Sequence, residues 1–195
     1  MSNILNRLTC YIYSLIILIY SMINIYRGLF LPALQSVVLI IILWIITFKY
    51  YYIFKDNMLL FMTNLFIFAA GYLGLVLHFY DKIWFYDLVI HFYAGVMLIQ
   101  YGLLVIAYLK QYQIKINNDY LLALFLLFFS ISMLLLWEFL EYVLDLLWNT
   151  DHTHYEETGL HDTMSDLMVG IAGSLLTLWW LKDKISVNIT KKSKS

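Results

Sequence analysis

The chain reads as an all-α polytopic membrane protein, a bundle of about six transmembrane helices. Three observations carry that reading. Of its 195 residues, 63% are hydrophobic and only 13% are charged, about half the charge of a soluble domain. The apolar residues gather in continuous runs of roughly 20, the length a helix needs to cross a bilayer. Only helices or closed barrels satisfy their own backbone in lipid, and runs of this length mean helices. Lastly, the basic residues are sorted by side.

The expected spans are 9–26, 31–48, 58–79, 84–109, 120–147 and 162–181. Together they make one integral membrane domain, 1–195, with 182–195 as a basic cytoplasmic tail. The first span lacks a basic start followed by a small-residue cleavage site, so it is expected to be retained. Arg27, Gly28 and Pro32 mark the first turn, and Lys49, Lys55, Asp56 and Asn57 the second. Asp81 and Lys82 mark the third, and residues 110–119 the fourth. The fifth connection, 148–161, is the longest and holds no Lys or Arg. Helices one and two carry few polar groups (Ser14, Ser21, Asn24, Gln35, Ser36) and read as scaffold. Gly71, Gly74, Gly170 and Gly173 are small positions suited to close helix packing. Trp84, Trp148 and Trp179 read as interface anchors. The single Cys10 rules out an intramolecular disulfide.

Orientation follows from charge. With a cytoplasmic N-terminus, that side holds Arg7, Lys49, Lys55, Lys110, Lys115, Lys182, Lys184, Lys191, Lys192 and Lys194, and the other only Arg27 and Lys82. Ten against two is a strong positive-inside bias. Both termini are therefore expected in the cytoplasm of a cell-membrane protein, with the acidic stretch 151–157 outside.

Within that topology the polar groups fall at one level. Glu138, Glu141 and Asp145 lie three and seven residues apart, on nearly one face of helix five. At 1.5 Å per residue, His91 lies roughly 10 Å below the outer surface, Glu141 roughly 9 Å and Glu138 roughly 13 Å. Asp87, Asp162 and Asp166 occupy the same outer band; Asp145 sits at its rim, and His78 could join it. His152 and His154 fall in the outer loop and read as solvent-exposed. The inner half of every span reads as almost wholly apolar. A charge at a helix centre costs on the order of 2.5–3.5 kcal/mol, and no Lys or Arg lies within the spans to balance the six carboxylates. Either some hold protons, or a cation binds among them. There is also a local echo: Asp87-xxx-His91-xxx-Gly95 parallels Asp162-xxx-Asp166-xxx-Gly170.

The same residues carry a resemblance. Asp87-xxx-His91-Phe92-xx-Gly95, then Trp137-Glu138-xx-Glu141-xxx-Asp145, then Gly159-Leu-xx-Thr163-Met-xx-Leu167 with Asp162 and Asp166, resemble the YjdF-type membrane proteins. More loosely the pattern is similar to VanZ-like proteins, although Leu88 follows Asp87 where those have Lys, and Ser174 follows Gly173 where Ala is usual. The resemblance covers about residues 55–181, and implies a topology and a choice of residues, but no reaction.

No P-loop, dinucleotide fingerprint, CxxC or nucleophile elbow is present. Three functions fit the pattern. The first is an enzyme acting at the outer leaflet on a lipid or lipid-linked envelope substrate. There His91, Glu138, Glu141 and Asp166 are the catalytic candidates, and His91, Glu138, Glu141, Asp87 and Asp162 the candidate ligands of a divalent metal. The second is a non-catalytic bundle that binds lipid or a partner protein, its polar cluster acting as glue. The third is a proton- or cation-coupled transporter, against which the apolar inner halves stand. Membrane lipid is the implied partner, nucleic acid is not, and a homo-oligomer is compatible with the sequence. Reporter fusions at residue 195 and in the 151–157 loop should report opposite sides of the membrane, the first cytoplasmic; the reverse pattern would overturn the orientation.

Overall fold

The computed structural model describes residues 3–49, 57–112, 116, 118–148 and 160–190, with the backbone alone at 3, 144, 145, 148 and 183–190. Every regular element among the described residues is helical. Six helices are long and apolar enough to cross a membrane: Ile4–Tyr26, Phe30–Lys49, Asn57–Val76, Tyr86–Tyr112, Asp119–Val143 and His161–Lys182. They match the six expected spans to within a few residues. By contact the chain divides into two compact units, Met1–Ile90 and His91–Ser195.

In the first unit, α1 (Asn3–Tyr26) and α2 (Phe30–Trp44) form a hairpin. The turn between them is a helix cap with a physical reason. Gly28 takes a left-handed φ of +75°, the Gly28 amide donates to Ile25 O at 3.0 Å, and the Leu29 amide donates to Asn24 O at 2.8 Å. That pair of bonds closes the orphan carbonyls of α1 as a Schellman motif. Pro32 stands in the first turn of α2, where its missing N–H costs nothing.

The far end of α2 widens into a π-helical turn, Ile45–Lys49. The third span does the same: α3 (Asn57–Phe66) continues as a π-helix over Ile67–Val76. Gly74 lies in that stretch, and a Cβ there would come within 2.7 Å of Tyr80 Cζ, so the glycine makes room for the ring. His78 then takes a left-handed conformation, φ 58°, before the short helix α4 (Phe79–Lys82). The hydrophobic periodicity of the sequence anticipates neither the π turns nor this left-handed residue, because each keeps the segment apolar and helical. The apolar core of this unit is Cys10, Ile17, Leu43, Tyr72 and Val76, with Tyr13 stacked on Phe68 at a centroid distance of 4.2 Å.

Neutral polar groups tie its helices together. Asn64 Nδ2 donates to Thr47 Oγ1 at 2.9 Å, Trp44 Nε1 to Ser14 Oγ at 3.0 Å, Ser21 Oγ to Ala33 O at 3.2 Å, and Asn6 Nδ2 to Asn57 O at 2.8 Å. Asn6, Thr47, Thr63 and Asn64 are all buried. The expectation of an almost wholly apolar inner half is therefore corrected at the end that carries Lys49. Short amides and hydroxyls can hide in an apolar run, because each finds its partner across a helix interface.

The second unit is built on α5 (Tyr86–Leu109), α6 (Asp119–Trp148) and α7 (His161–Thr190). Asn118 caps α6, accepting from the Leu121 amide at 3.1 Å, and Asp119 follows in the favourable first turn. Each helix buries a stripe at steps of three or four. On α5 it is His91, Gly95, Ile99, Gly102 and Ile106; on α6 it is Leu126, Ser130, Leu134 and Glu138; on α7 it is Asp166, Gly170, Ser174, Thr177 and Leu181. Much of the remaining surface is apolar and exposed, including Leu135, Leu136, Phe139, Met168 and Trp179. In a bilayer that surface faces solvent of its own kind.

Helices α5 and α7 cross with their backbones in contact. A Cβ built on Gly95 would strike the Gly170 carbonyl oxygen, and one on Gly173 would strike that of Phe92. The small positions expected at Gly170 and Gly173 are thus borne out as the seat of a close approach. Gly95→Val should therefore lower the detergent melting temperature sharply, by at least the 1–3 kcal/mol typical of overpacking. The same change at Gly28, where nothing lies within 4 Å, should cost only the strain of its left-handed φ.

Candidate metal centre

Each stripe of the second unit ends in an ionisable residue, and these ends converge. His91 and Glu138 are buried, 3% and 5% exposed, and His91 Nε2 lies 3.5 Å from Glu138 Oε1. Glu141, half-buried one turn along α6, completes a group in which one ligand atom from each of His91, Glu138 and Glu141 lies within 4.8 Å of the others. Asp166 of α7, 3% exposed, brings a carboxylate oxygen within 4.8 Å of the same imidazole. The imidazole of His91 is thus shared by carboxylates from two other helices, Glu138 and Glu141 of α6 and Asp166 of α7.

The geometry follows from the sequence spacing. Glu138 and Glu141 are three apart and share a face of α6. His91 and Asp166 each stand one turn from the glycine at the α5–α7 crossing. The Asp-xxx-His-xxx-Gly and Asp-xxx-Asp-xxx-Gly echo is thereby given a physical meaning: the two glycines touch, so the residues four positions before them are brought together.

Beneath the ionisable level the unit is layered. Gly95 and Gly170 come next, with Leu134 closing the third side: a Cβ on Gly170 would lie 2.7 Å from Leu134 Cδ1 and 3.3 Å from His91 O. Below them Ser174 Oγ lies 2.7 Å from Ser130 Oγ, 3.0 Å from Gly170 O and 3.2 Å from Gly95 O. Ile99, Leu126 and Leu181 then close the core with Leu103, Leu122, Phe125 and Leu178.

The other sequence candidates divide. Asp87 is half-buried one turn before His91 on the same helix. Asp162 lies in the first turn of α7, not at its cap, and is outside the group that His91, Glu138 and Glu141 form. His78 does not serve as a buried ligand: its imidazole is 63% exposed and its Nδ1 meets Asp81 at 3.2 Å. The left-handed backbone at His78 turns it there, and no periodicity reports such a turn. The side chain of Asp145, together with Gly159 and the loop residues Asp151, His152, His154, Glu156 and Glu157, lies outside the described residues. Sequence reasoning missed the Ser130–Ser174 pair; the signal was present, since Ser174 extends the period-four run Asp166, Gly170.

A divalent ion fits this donor set. Carboxylate and imidazole together suit first-row divalent metals, and among the described residues no buried Lys or Arg offers the opposite charge. The molecule is thus a polytopic membrane helix bundle whose buried Asp, His and Glu residues could chelate a metal. Residues 6–183 match the model of a family described as "Predicted membrane protein (DUF2238)". The chain belongs to that family. It is similar to a Thermotoga maritima protein titled "Uncharacterized protein", at 29% identity over 107 residues, 55% of this chain and 53% of that one. The chain thus spans about half the length of the curated relative it matches. No solved structure matches it.

Proposed function

We propose that His91, Glu138 and Glu141, with Asp166 beside them, form a divalent-metal centre that opens to the outer face of the cell membrane and acts on a lipid or lipid-linked envelope substrate. The observation that carries the reading is the convergence of one imidazole and two carboxylates within 4.8 Å, with His91 and Glu138 both buried. Burying a carboxylate without a compensating charge is costly, and a resident cation removes that cost. The YjdF-type resemblance runs through the same residues.

In this reading His91, Glu138 and Glu141 hold the ion. Bound there, a divalent metal supplies a Lewis acid and a water acidic enough to ionise near neutral pH. Asp166, on the facing helix and within 4.8 Å of the His91 imidazole, would serve as a further ligand and as a carboxylate able to take up a proton beside the ion. Asp87 and Asp162 stand one turn further out on α5 and α7 and serve the mouth, either as additional ligands or in drawing the cation inward. The positive-inside bias supports a mouth on the outer side and both termini in the cytoplasm. A substrate reaching such a depth sideways from the bilayer is a lipid or is attached to one.

The aliphatic plug of Ile99, Leu126 and Leu181 weighs against a relay of protons or cations through this unit. The remaining competitor is a metal-free bundle in which the cluster acts only as polar glue, and its prediction differs. As a metal centre, full-length protein purified in detergent should carry close to one divalent ion, measured by elemental analysis. Glu138→Gln and His91→Ala should each lose the ion while Glu138→Gln melts at or above the wild-type temperature once both are stripped by chelator. If the wild type holds no ion, also after incubation with Mn2+ or Zn2+, and Glu138→Gln simply melts lower, the cluster is glue and the proposal fails.

A further inference from the structure

We propose that Ser174 is a positioning residue for this centre: it fixes the register of α7 against α5 and α6, and so sets where Asp166 stands relative to His91 and Glu138. The inference rests on the reading of the cluster as a metal centre. Asp166 and His91 belong to different helices, and their separation is decided one turn below, where Gly95 meets Gly170. Two glycines let backbones touch, yet they bring no side chain that would stop one helix from sliding or rotating over the other. The approach of Gly173 to Phe92 and the packing of Leu134 limit that motion sterically, and a directional bond beside the crossing would fix it.

Ser174 supplies that bond. It is fully buried, one turn below Gly170, and its hydroxyl reaches all three helices: Ser130 on α6 at 2.7 Å, Gly95 O on α5 at 3.2 Å and Gly170 O on its own helix at 3.0 Å. Ser130 donating to Ser174 leaves the Ser174 proton for the two carbonyls, so one hydroxyl serves all three contacts. Asp166, Gly170 and Ser174 follow one another at four-residue steps. A rotation of α7 released at Ser174 is therefore transmitted by a stiff helix to Asp166, two turns away.

A single interhelical hydrogen bond contributes modestly to membrane-protein stability, whereas metal affinity responds steeply to misplaced ligands, about 10- to 100-fold where a partner bonded directly to a ligand is lost, which sets the scale for a ligand displaced through its helix. The two effects separate by experiment. Full-length wild type, Ser174→Ala and Ser174→Cys are titrated with Mn2+ in detergent and followed by electron paramagnetic resonance, with thermal melting measured on the metal-free proteins. The control is Ser36→Ala, which removes a buried hydroxyl that bonds Pro32 O on its own helix, at 2.7 Å.

Ser174→Ala should weaken Mn2+ binding about 10- to 100-fold and alter the line shape of the bound ion, with melting close to wild type. Ser174→Cys, which keeps a weak donor, should fall between, and it carries the test if the alanine variant does not fold. Ser36→Ala should bind as wild type. Wild-type Mn2+ affinity in both Ser174 variants overturns the positioning role while leaving the metal centre standing. A loss that tracks the drop in melting temperature and appears equally in Ser36→Ala also overturns it. Absence of Mn2+ binding in the wild type removes the metal centre itself, and this inference with it.

Discussion

The close approach of α5 and α7 at Gly95 and Gly170 is the constraint on which the second unit depends, because helices in lipid have no hydrophobic force to hold them together. Lipid tails are as apolar as leucine, so association rests on van der Waals contact between backbones and on hydrogen bonds across the interface. Removing both Cβ atoms at the crossing lets the helices touch, and everything else is measured from that point. One turn toward one end, His91 is brought to Asp166 and to Glu138. One turn toward the other, Ser174 joins its own helix to Gly95 O and Ser130. Beyond it, Ile99, Leu126 and Leu181 shut the core.

The two units solve the burial of polar groups differently, and the difference locates the chemistry. Among the described residues of the first unit, the buried polar ones are Asn6, Ser14, Ser21, Asn24, Ser36, Thr47, Thr63 and Asn64, all of them neutral. Hydroxyls and amides of this kind are satisfied by a neighbouring carbonyl or by one another, as Thr47 and Asn64 are, and they require nothing from outside the chain. In the second unit His91, Glu138 and Asp166 are buried beside Ser130, Ser174 and Thr177. A carboxylate ionised in such a place is offset poorly by hydrogen bonds alone. Neutral polar burial builds a scaffold; a cluster of buried ionisable groups offers the ligands a cation needs.

Some of the candidate site could be read directly from residues. Glu138 and His91 stood out because ionisable groups are rare inside apolar helices, and the three-residue step to Glu141 needed only helix geometry to share a face. Asp166 emerged from its depth on the last helix. His78 showed the limit: it lay at the right level, but a left-handed backbone turns it toward Asp81. Ser174 showed the converse, an unremarkable residue whose importance comes wholly from what lies across the interface.

The sequence by itself determined that this is an all-helical membrane protein, where its six spans fall, and which side chains are chemically out of place. Those are one-dimensional properties: the length of an apolar run, the sorting of basic charge, and the cost of an acid among leucines. Only the tertiary structure decided which out-of-place residues meet. Rotation of each helix about its axis leaves hydropathy unchanged yet swings a side chain across the bundle, and that rotation is fixed here by contacts between helices distant in sequence. The four-residue steps from Asp166 to Ser174 were written in the chain, but their effect appears only once Gly170 rests against Gly95.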